Sequence, residues 1–185
     1  MSESRGDVAA SDDLRARVER TLRVVPDFPS PGILFQDITP VLADAALLAA
    51  VTSAMAAPWV RAGITHVAAV ESRGFVLGAP IAIALRAGFV PVRKPGKLPS
   101  RVVARDYALE YGSGRLEIHE DAYAPGARVL LVDDVLATGG TARAACDLIE
   151  SLGATIVACS FMVAIASLHG ERMLRNHAVA VLVHR

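Results

Sequence analysis

The 185-residue sequence has no excess of charge of either sign, because Lys+Arg and Asp+Glu each total 19. Proteins that bind nucleic acid or anionic membranes generally carry a basic excess, so any anion site here must be local. Aromatic residues make up only 5%, so Val, Ile, Leu and Ala must fill the core. No apolar run approaches the roughly 18 residues that a membrane span needs. We therefore expect neither nucleic acid nor a membrane as a partner.

Cysteine is also scarce. Cys146 and Cys159 are the two cysteines, and neither they nor the five histidines have the spacing of a metal site. Buried free thiols in a reducing compartment are the expected state of such a pair. Residues 1–11 are polar and small, without the apolar segment of a signal peptide. We expect a cytoplasmic protein with no metal ligated by its own side chains.

The sequence is rich in short apolar runs that alternate with helical patterns. The predicted strands are 65–70, 89–92, 128–132, 155–163 and 178–183, and the predicted helices are 11–24, 43–59, 78–85 and 141–152. Strands that are almost entirely apolar and separated by helices indicate an α/β fold, with a mostly parallel sheet and helices on both faces. The length suits a single domain over residues 1–185.

A polar segment at about 94–124 interrupts this alternation. Two short runs within it could form a β-hairpin around Gly112 and Gly114. An insertion of this length in a compact domain is more often a functional flap than a simple connection.

Residues 129–141 form the most informative stretch, because they combine a strand, two acids, a small-residue loop and a helix start. Parallel sheets bind ligands at the carboxyl ends of their strands, and a helix N-terminus offers unpaired N–H groups to a phosphate. Gly139 and Gly140 would let the backbone approach that phosphate, while Asp133 and Asp134 could accept hydrogen bonds from sugar hydroxyls. Each feature alone could be a simple turn or a solvated acidic loop, but together they indicate a sugar-phosphate site. The candidate ligands are Asp133, Asp134, Ala137, Thr138, Gly139, Gly140 and Thr141.

Two other nucleotide sites are not supported by the pattern. A dinucleotide fold has Gly-x-Gly-x-x-Gly after a strand, which this sequence lacks. A nucleoside-triphosphatase loop has Gly-Lys-Ser/Thr, whereas the Gly96-Lys97 pair continues with Leu98.

The stretch 129–141 resembles the phosphoribosyl-pyrophosphate signature of type I phosphoribosyltransferases, and further segments are similar to their adenine-specific branch. In the order of that branch, these segments are 27–40 (hood), 71–75 (pyrophosphate loop), 93–99 and 109–112. The resemblance, which spans about residues 27–168, implies that adenine and 5-phosphoribosyl 1-pyrophosphate are converted to AMP and pyrophosphate. It also implies Mg²⁺ held mainly through substrate and water, a hood at about 24–40, a flap at about 94–124 and a homodimer.

The same resemblance implies roles outside the phosphate loop. Glu110 would assist deprotonation of adenine, and Tyr111 would help to close the flap over the reacting centre. The residues implied in pyrophosphate binding are Ser72, Arg73, Arg93, Lys94 and Lys97, some of which reach across a dimer interface in this family. The residues implied in base binding are Leu34, Phe35, Gln36 and Ile165.

Two backbone features are also expected around the pyrophosphate loop. The family has a non-proline cis peptide at the position that matches Glu71-Ser72. Gly74, two residues later, is expected to permit unusual backbone angles.

Two other functions stay open at this level. One is a related transferase that uses hypoxanthine, guanine or xanthine, and Ala164 bears on this choice because many members carry Glu there, close to the expected base pocket. The other is a non-catalytic regulator that senses phosphoribosyl pyrophosphate. Such a regulator usually carries a separate basic DNA-binding segment, which is not visible in this charge-balanced sequence.

Overall fold

The computed structural model describes residues 6–7, 10–109 and 112–185. Its strands, β1 to β10 in chain order, are Gly6–Asp7, Arg23–Pro26, Leu34–Asp37, His66–Val70, Gly88–Val92, Val102–Leu109, Gly112–His119, Arg128–Leu136, Thr155–Ala164 and Val179–His184. Its helices, α1 to α5, are Asp12–Thr21, Thr39–Ala43, Ala45–Ala56, Arg73–Leu85 and Gly140–Ser151. Short 3₁₀ segments lie at Ala57–Trp59, Ala166–Leu168 and Gly170–Leu174.

A six-stranded sheet with the order β1-β10-β9-β8-β4-β5 forms the centre of the fold. All of its paired neighbours run parallel. Helices α1 to α4 contribute to the apolar core on one face, and α5 contributes to a second core on the other face together with β7. The inner strands are apolar because they are covered on both sides. The predicted fold class, a mainly parallel sheet with helices on both faces, is confirmed.

Capping side chains set the helix boundaries in the N-terminal part. The Ser11 hydroxyl accepts a hydrogen bond from the Leu14 amide at 3.2 Å, so α1 begins where the sequence predicts. The predicted helix 43–59 is instead divided, because Asp44 has an extended backbone and caps α3 by accepting from the Leu47 amide at 2.9 Å. In the described part of the chain, no helix combines the length and the apolar character needed to cross a bilayer.

Two antiparallel hairpins flank the sheet. The first, β2-β3, lies within the predicted hood and pairs Val25 with Phe35. The second, β6-β7, lies within the predicted flap and pairs Leu109 with Gly112. The predicted β-hairpin is therefore confirmed, although Gly112 and Gly114 lie within β7 and pair back onto β6 rather than lying between the strands.

The base of the second hairpin is part of the core. Leu116 and Ile118 on β7 are fully buried in the same apolar cluster as α5. Arg105 on β6 also donates to the Asp147 carboxylate of α5 at 2.9 Å. The hairpin is thus anchored at the end away from its turn. Glu110 and Tyr111, between β6 and β7 in the sequence, lie outside the described residues.

Helix α4 and strand β8 extend further than the sequence predicts, and both changes matter for the site. Helix α4 begins at Arg73 rather than at residue 78, so Ser72 is its N-cap. Strand β8 continues to Leu136, so Asp133 and Asp134 lie within the end of the strand, paired to β9, rather than in a loop after it.

Candidate active site

The segments that follow β4 and β8 meet at one edge of the sheet. These strands are paired neighbours, with Ala69 opposite Val132, so their carboxyl ends lie side by side. A cavity of about 380 Å³ opens there. Among the residues that line it are nine that the sequence singled out: Ser72, Arg73, Lys94, Asp133, Asp134, Ala137, Thr138, Gly139 and Thr141.

The loop after β8 is shaped by Gly139. This residue is the N-cap of α5 and has a φ of 86°, which favours glycine. The Arg143 amide donates to the Gly139 carbonyl at 2.9 Å and begins the helical ladder. The earlier amides of the first turn, at residues 140–142, therefore have no partner within the helix. They are available to an anion at the wall of the cavity.

A second glycine, Gly170, supports the same loop from outside. A Cβ on Gly139 would overlap the carbonyl oxygen of Gly170, and a Cβ on Gly170 would overlap the carbonyl oxygen of Ala137. The two backbones therefore touch, which only glycine allows. Gly170 could not be predicted from the sequence, because a single glycine 31 residues beyond Gly139 carries no local signal.

The two acids differ in their surroundings. Asp134 is only 4% exposed, and its carboxylate accepts a hydrogen bond from Arg73 Nε. Asp133 is half-buried, and its Oδ1 accepts from the Asp134 amide at 2.9 Å. Burial, and then the adjacent Asp134 carboxylate, raise the pKa of Asp133 well above its usual value. The pair therefore supplies one carboxylate held by an arginine and one that binds a proton more readily than an ordinary aspartate.

Gly74 brings α4 against these acids. A Cβ at this position would lie 2.7 Å from Asp133 Oδ1 and 3.3 Å from the carbonyl oxygen of Val132. Gly74 is within a regular helix and does not have a positive φ. The expectation of unusual backbone angles was therefore wrong, and the physical reason for glycine is the space that Asp133 occupies. The expected cis peptide between Glu71 and Ser72 is present.

Arg73 links the acid pair to the first hairpin. Its guanidinium carbon lies 5.0 Å from the centre of the Phe35 ring, over the face of the ring. Phe35 in turn packs edge-on against Phe28, with ring centres 5.1 Å apart. Leu34 is 64% exposed, whereas Gln36 Oε1 is buried without a hydrogen-bond partner among the described residues. The structure thus places the predicted base-binding residue Phe35 beside Arg73, which lines the cavity.

Ile165, the fourth predicted base contact, lies elsewhere. It lines a second cavity of about 970 Å³, together with Ala164 and His169. Leu136 borders both cavities. Ala164 is therefore placed beside the second cavity rather than in the wall of the first, although the sequence analysis expected it close to the base pocket.

The basic cluster after β5 divides into residues with different environments. Lys94 lines the first cavity. Arg93 instead donates through Nε to Glu71 Oε2 at 2.9 Å and through Nη1 to the Lys97 carbonyl at 3.1 Å. Its guanidinium carbon lies 5.9 Å from the Phe75 ring centre. Arg93 thus ties the pyrophosphate-loop segment to the segment that carries Lys94 and Lys97.

Tyr107 and Leu116 also line the cavity, and the sequence analysis did not single them out. Tyr107 pairs with Gly114 across the hairpin, and a Cβ on Gly114 would lie 2.7 Å from the Tyr107 hydroxyl oxygen. A turn predicted at residues 110–111 would have placed these two residues opposite one another. The hairpin expected around Gly112 and Gly114 does not pair these two residues.

Among the described residues, no group of three or more His, Cys, Asp or Glu side chains could hold a metal ion. The cavity nevertheless has hard oxygen donors in Asp133 and Asp134. Such donors suit a hydrated Mg²⁺ that enters with a phosphorylated substrate and keeps most of its water.

Comparison with known proteins matches this fold and this arrangement of residues. The family model described as phosphoribosyl transferase domain matches residues 41–183, and the chain belongs to this family of phosphoribosyltransferases. The adenine phosphoribosyltransferase of Methylococcus capsulatus is 53% identical over 173 residues, which are 94% of this chain and 99% of the relative. Within the family, the chain is thus a member of the adenine phosphoribosyltransferases.

Solved structures support the same assignment. The adenine phosphoribosyltransferase of Rhodothermus marinus has a TM-score of 0.90 and 45% identity, over 95% of this chain and 100% of that one. The Saccharomyces cerevisiae enzyme, solved with adenine and an imino-altritol bisphosphate, has a TM-score of 0.85 and 36% identity. That match covers 91% of this chain and 98% of the yeast chain.

Proposed function

We propose that this transferase joins adenine to 5-phosphoribosyl 1-pyrophosphate and releases AMP and pyrophosphate, a purine salvage reaction. The observation that carries the proposal is the single cavity in which two strand-end acids, a glycine loop and a helix N-terminus converge. Membership of the adenine phosphoribosyltransferases supports adenine as the base. The yeast relative, solved with adenine, supports it independently.

The 5′-phosphate is bound by residues 137–141. Thr138 and Thr141 supply hydroxyl groups, and the first amides of α5 point to the anion from a partially positive helix end. Asp133 and Asp134 accept hydrogen bonds from the two ribose hydroxyls, each such charged bond contributing about 1.5–3 kcal/mol. These contacts fix the sugar so that its C1 faces the remainder of the cavity.

The pyrophosphate is bound by Ser72, at the N-terminus of α4, and by the basic residues Arg73, Arg93, Lys94 and Lys97. The positive charge of these side chains stabilises the leaving group as the C1–O bond lengthens. Mg²⁺ entering with the substrate would be held in part by Asp133 and Asp134 and would supply further neutralisation of the pyrophosphate charge. Arg73 contacts Asp134, the proposed ribose ligand, and the ring of Phe35, the proposed adenine ligand. It can therefore influence the binding of both substrates.

Adenine is bound between the hood and the cavity, with Phe35 stacked on the purine and Leu34 and Gln36 completing the pocket. A base nitrogen attacks C1 from the face opposite the pyrophosphate, so that a C–N bond forms as the C–O bond breaks. Glu110 accepts the proton that adenine loses, and Tyr111 helps the flap to exclude water. No protein nucleophile takes part, and catalysis rests on positioning and charge stabilisation.

We also infer a cytoplasmic homodimer built from a single domain over residues 1–185. An apolar surface on α4 and the edge strand β5 supports the dimer. Val76 and Ile83 lie two helical turns apart on α4 and are 43% and 79% exposed, and Phe89 on β5 is 36% exposed. A solution mass of twice 19.4 kDa is expected by sedimentation.

An assay for AMP formation from adenine and phosphoribosyl pyrophosphate tests the function, run with Mg²⁺ and with excess chelator. Parallel reactions contain hypoxanthine, guanine or xanthine in place of adenine. We expect turnover with adenine and Mg²⁺, and little with the other bases. Preferred turnover of another base would assign a related transferase, whereas phosphoribosyl-pyrophosphate binding without product would assign the regulator.

A further inference from the structure

The turn at residues 94–97, which carries two of the basic residues, has little packing of its own. Each of these four residues is exposed. Gly96 adopts a φ of 72°, and a Cβ built on it would meet no atom within 4 Å. The position of Lys94 at the cavity therefore depends on hydrogen bonds to neighbouring elements rather than on burial.

Among the residues that the structure describes, two hydrogen bonds hold this turn, and each involves a side chain of Arg93 or Glu117. The Glu117 carboxylate on β7 accepts from the Gly96 amide at 3.0 Å. Arg93 Nη1 donates to the Lys97 carbonyl at 3.1 Å. Arg93 and Glu117 are also joined by backbone hydrogen bonds of 2.9 and 2.7 Å in an antiparallel bridge. The turn is thus fastened to the base of the flap hairpin.

The same network extends to a second segment that lines the cavity. Arg93 Nε donates to Glu71 Oε2 at 2.9 Å, and Glu71 immediately precedes Ser72, the N-cap of α4. One end of the network therefore fixes the turn that carries Lys94, and the other end fixes the segment that carries Ser72 and Arg73. Glu117 itself does not line the cavity among the described residues.

We propose that Glu117 is a positioning residue for the reaction: by holding the Gly96 amide it sets the place of Lys94, and so the affinity for the pyrophosphate group. The proposal rests on the pyrophosphate role proposed above for Lys94. Because Glu117 lies on the flap strand β7, the position of this strand determines where Lys94 lies relative to the pyrophosphate group. The ribose contacts of Asp133 and Asp134 and the adenine contact of Phe35 come from β8 and β3, and they do not involve this hydrogen bond.

The test compares Glu117→Ala with Glu117→Gln, whose amide oxygen can still accept the hydrogen bond, and with Lys94→Met. Glu120→Ala is the matched control, because Glu120 lies one residue beyond the same hairpin, is exposed, and pairs only at 3.6 Å with Arg101. Gly96→Ala perturbs the turn through its positive φ without touching the core. The measurements are the KM of each substrate, the inhibition constant of magnesium pyrophosphate, the affinity for AMP and the melting temperature.

In Glu117→Ala we expect the KM for phosphoribosyl pyrophosphate and the inhibition constant of pyrophosphate to rise about tenfold, as for loss of a charged hydrogen bond. The KM for adenine and the affinity for AMP, which contains no pyrophosphate, should change less than about twofold. Glu117→Gln should retain most of the affinity that Glu117→Ala loses. Gly96→Ala should lose about as much affinity as Glu117→Ala, and Glu120→Ala should lose none.

Three results would overturn the proposal. If Glu117→Ala weakened AMP and pyrophosphate equally, its role would be general stability. If Lys94→Met weakened pyrophosphate and neither Glu117→Ala nor Gly96→Ala did so, the turn would bind pyrophosphate without needing this anchor. If none of the three variants altered pyrophosphate binding, the pyrophosphate role of the turn would fail, and the positioning role with it.

Discussion

Replacement of Gly139 by alanine tests the close contact on which the phosphate loop depends. Gly139 has a φ of 86°, and a Cβ there would overlap the Gly170 carbonyl oxygen and lie 3.0 Å from Met173 Cβ. The left-handed backbone alone costs about 1–2 kcal/mol for a residue with a Cβ. Overpacking against a neighbouring backbone adds about 1–3 kcal/mol. The free energy of unfolding should therefore fall by about 2–5 kcal/mol.

Gly153 provides a control at the other end of the same helix. It follows α5 with a φ of 77°, and a Cβ built on it meets no atom within 4 Å. Gly153→Ala should therefore lose only the backbone component, about 1–2 kcal/mol. Urea unfolding of both variants gives the two free energies, provided that the denaturant slope is unchanged.

The two variants should also differ in their activity. Gly139→Ala displaces the loop that binds the 5′-phosphate, so the KM for phosphoribosyl pyrophosphate should rise while Gly153→Ala leaves it near the parent value. Equal losses of stability in the two variants, within about 0.5 kcal/mol, would refute the reasoning. That result would mean that the Gly170 backbone yields without penalty.

Three further predictions concern the acids. Asp133→Asn combined with Asp134→Asn should weaken capture of phosphoribosyl pyrophosphate by about 3 kcal/mol or more, measured as its KM; unchanged kinetics would refute the ribose assignment. Glu110→Ala should lower kcat by about a hundredfold or more with a smaller effect on nucleotide affinity, and a change in affinity alone would exclude acid–base action. Because the pKa of Asp133 is higher in the folded protein than in the unfolded chain, protonation of Asp133 stabilises the fold. This contribution to the free energy of unfolding is complete below pH 3.8, the pKa of Asp133 in the unfolded chain, and is lost as the pH rises through the pKa of Asp133 in the folded protein. Asparagine cannot ionise, so Asp133→Asn should have a higher free energy of unfolding than the parent near neutral pH but not below pH 3.8. Urea unfolding of both proteins at the two pH values measures this difference.

Much of the fold could be predicted because its signals are local. Ser11 caps α1 through an amide only three residues away, and the stretch from Asp133 to Thr141 carries its acids, glycines and hydroxyls within nine residues. Apolar strands separated by helical patterns define a parallel sheet without knowledge of any contact. The resemblance of ordered motifs to one enzyme family could likewise be found without a structure.

The errors at element boundaries have a common cause. Helix α4 starts at Arg73 because Gly74 packs against Asp133, a residue about sixty positions later. Strand β6 ends at Leu109 and β7 begins at Gly112 because β7 must bury Leu116 and Ile118 against the sheet. In both cases the local pattern admits several boundaries, and distant packing selects one of them.

By itself, the sequence determined the fold class, the phosphate loop and the family, since each depends on residues that are close together in the chain. The tertiary structure alone decided that Gly170 supports Gly139, that Arg73 joins Asp134 to Phe35, and that Ile165 borders a different cavity from Asp133. These relations join residues tens of positions apart, and their distances depend on how helices and strands pack. No local propensity encodes them, because each partner alone is compatible with many surroundings.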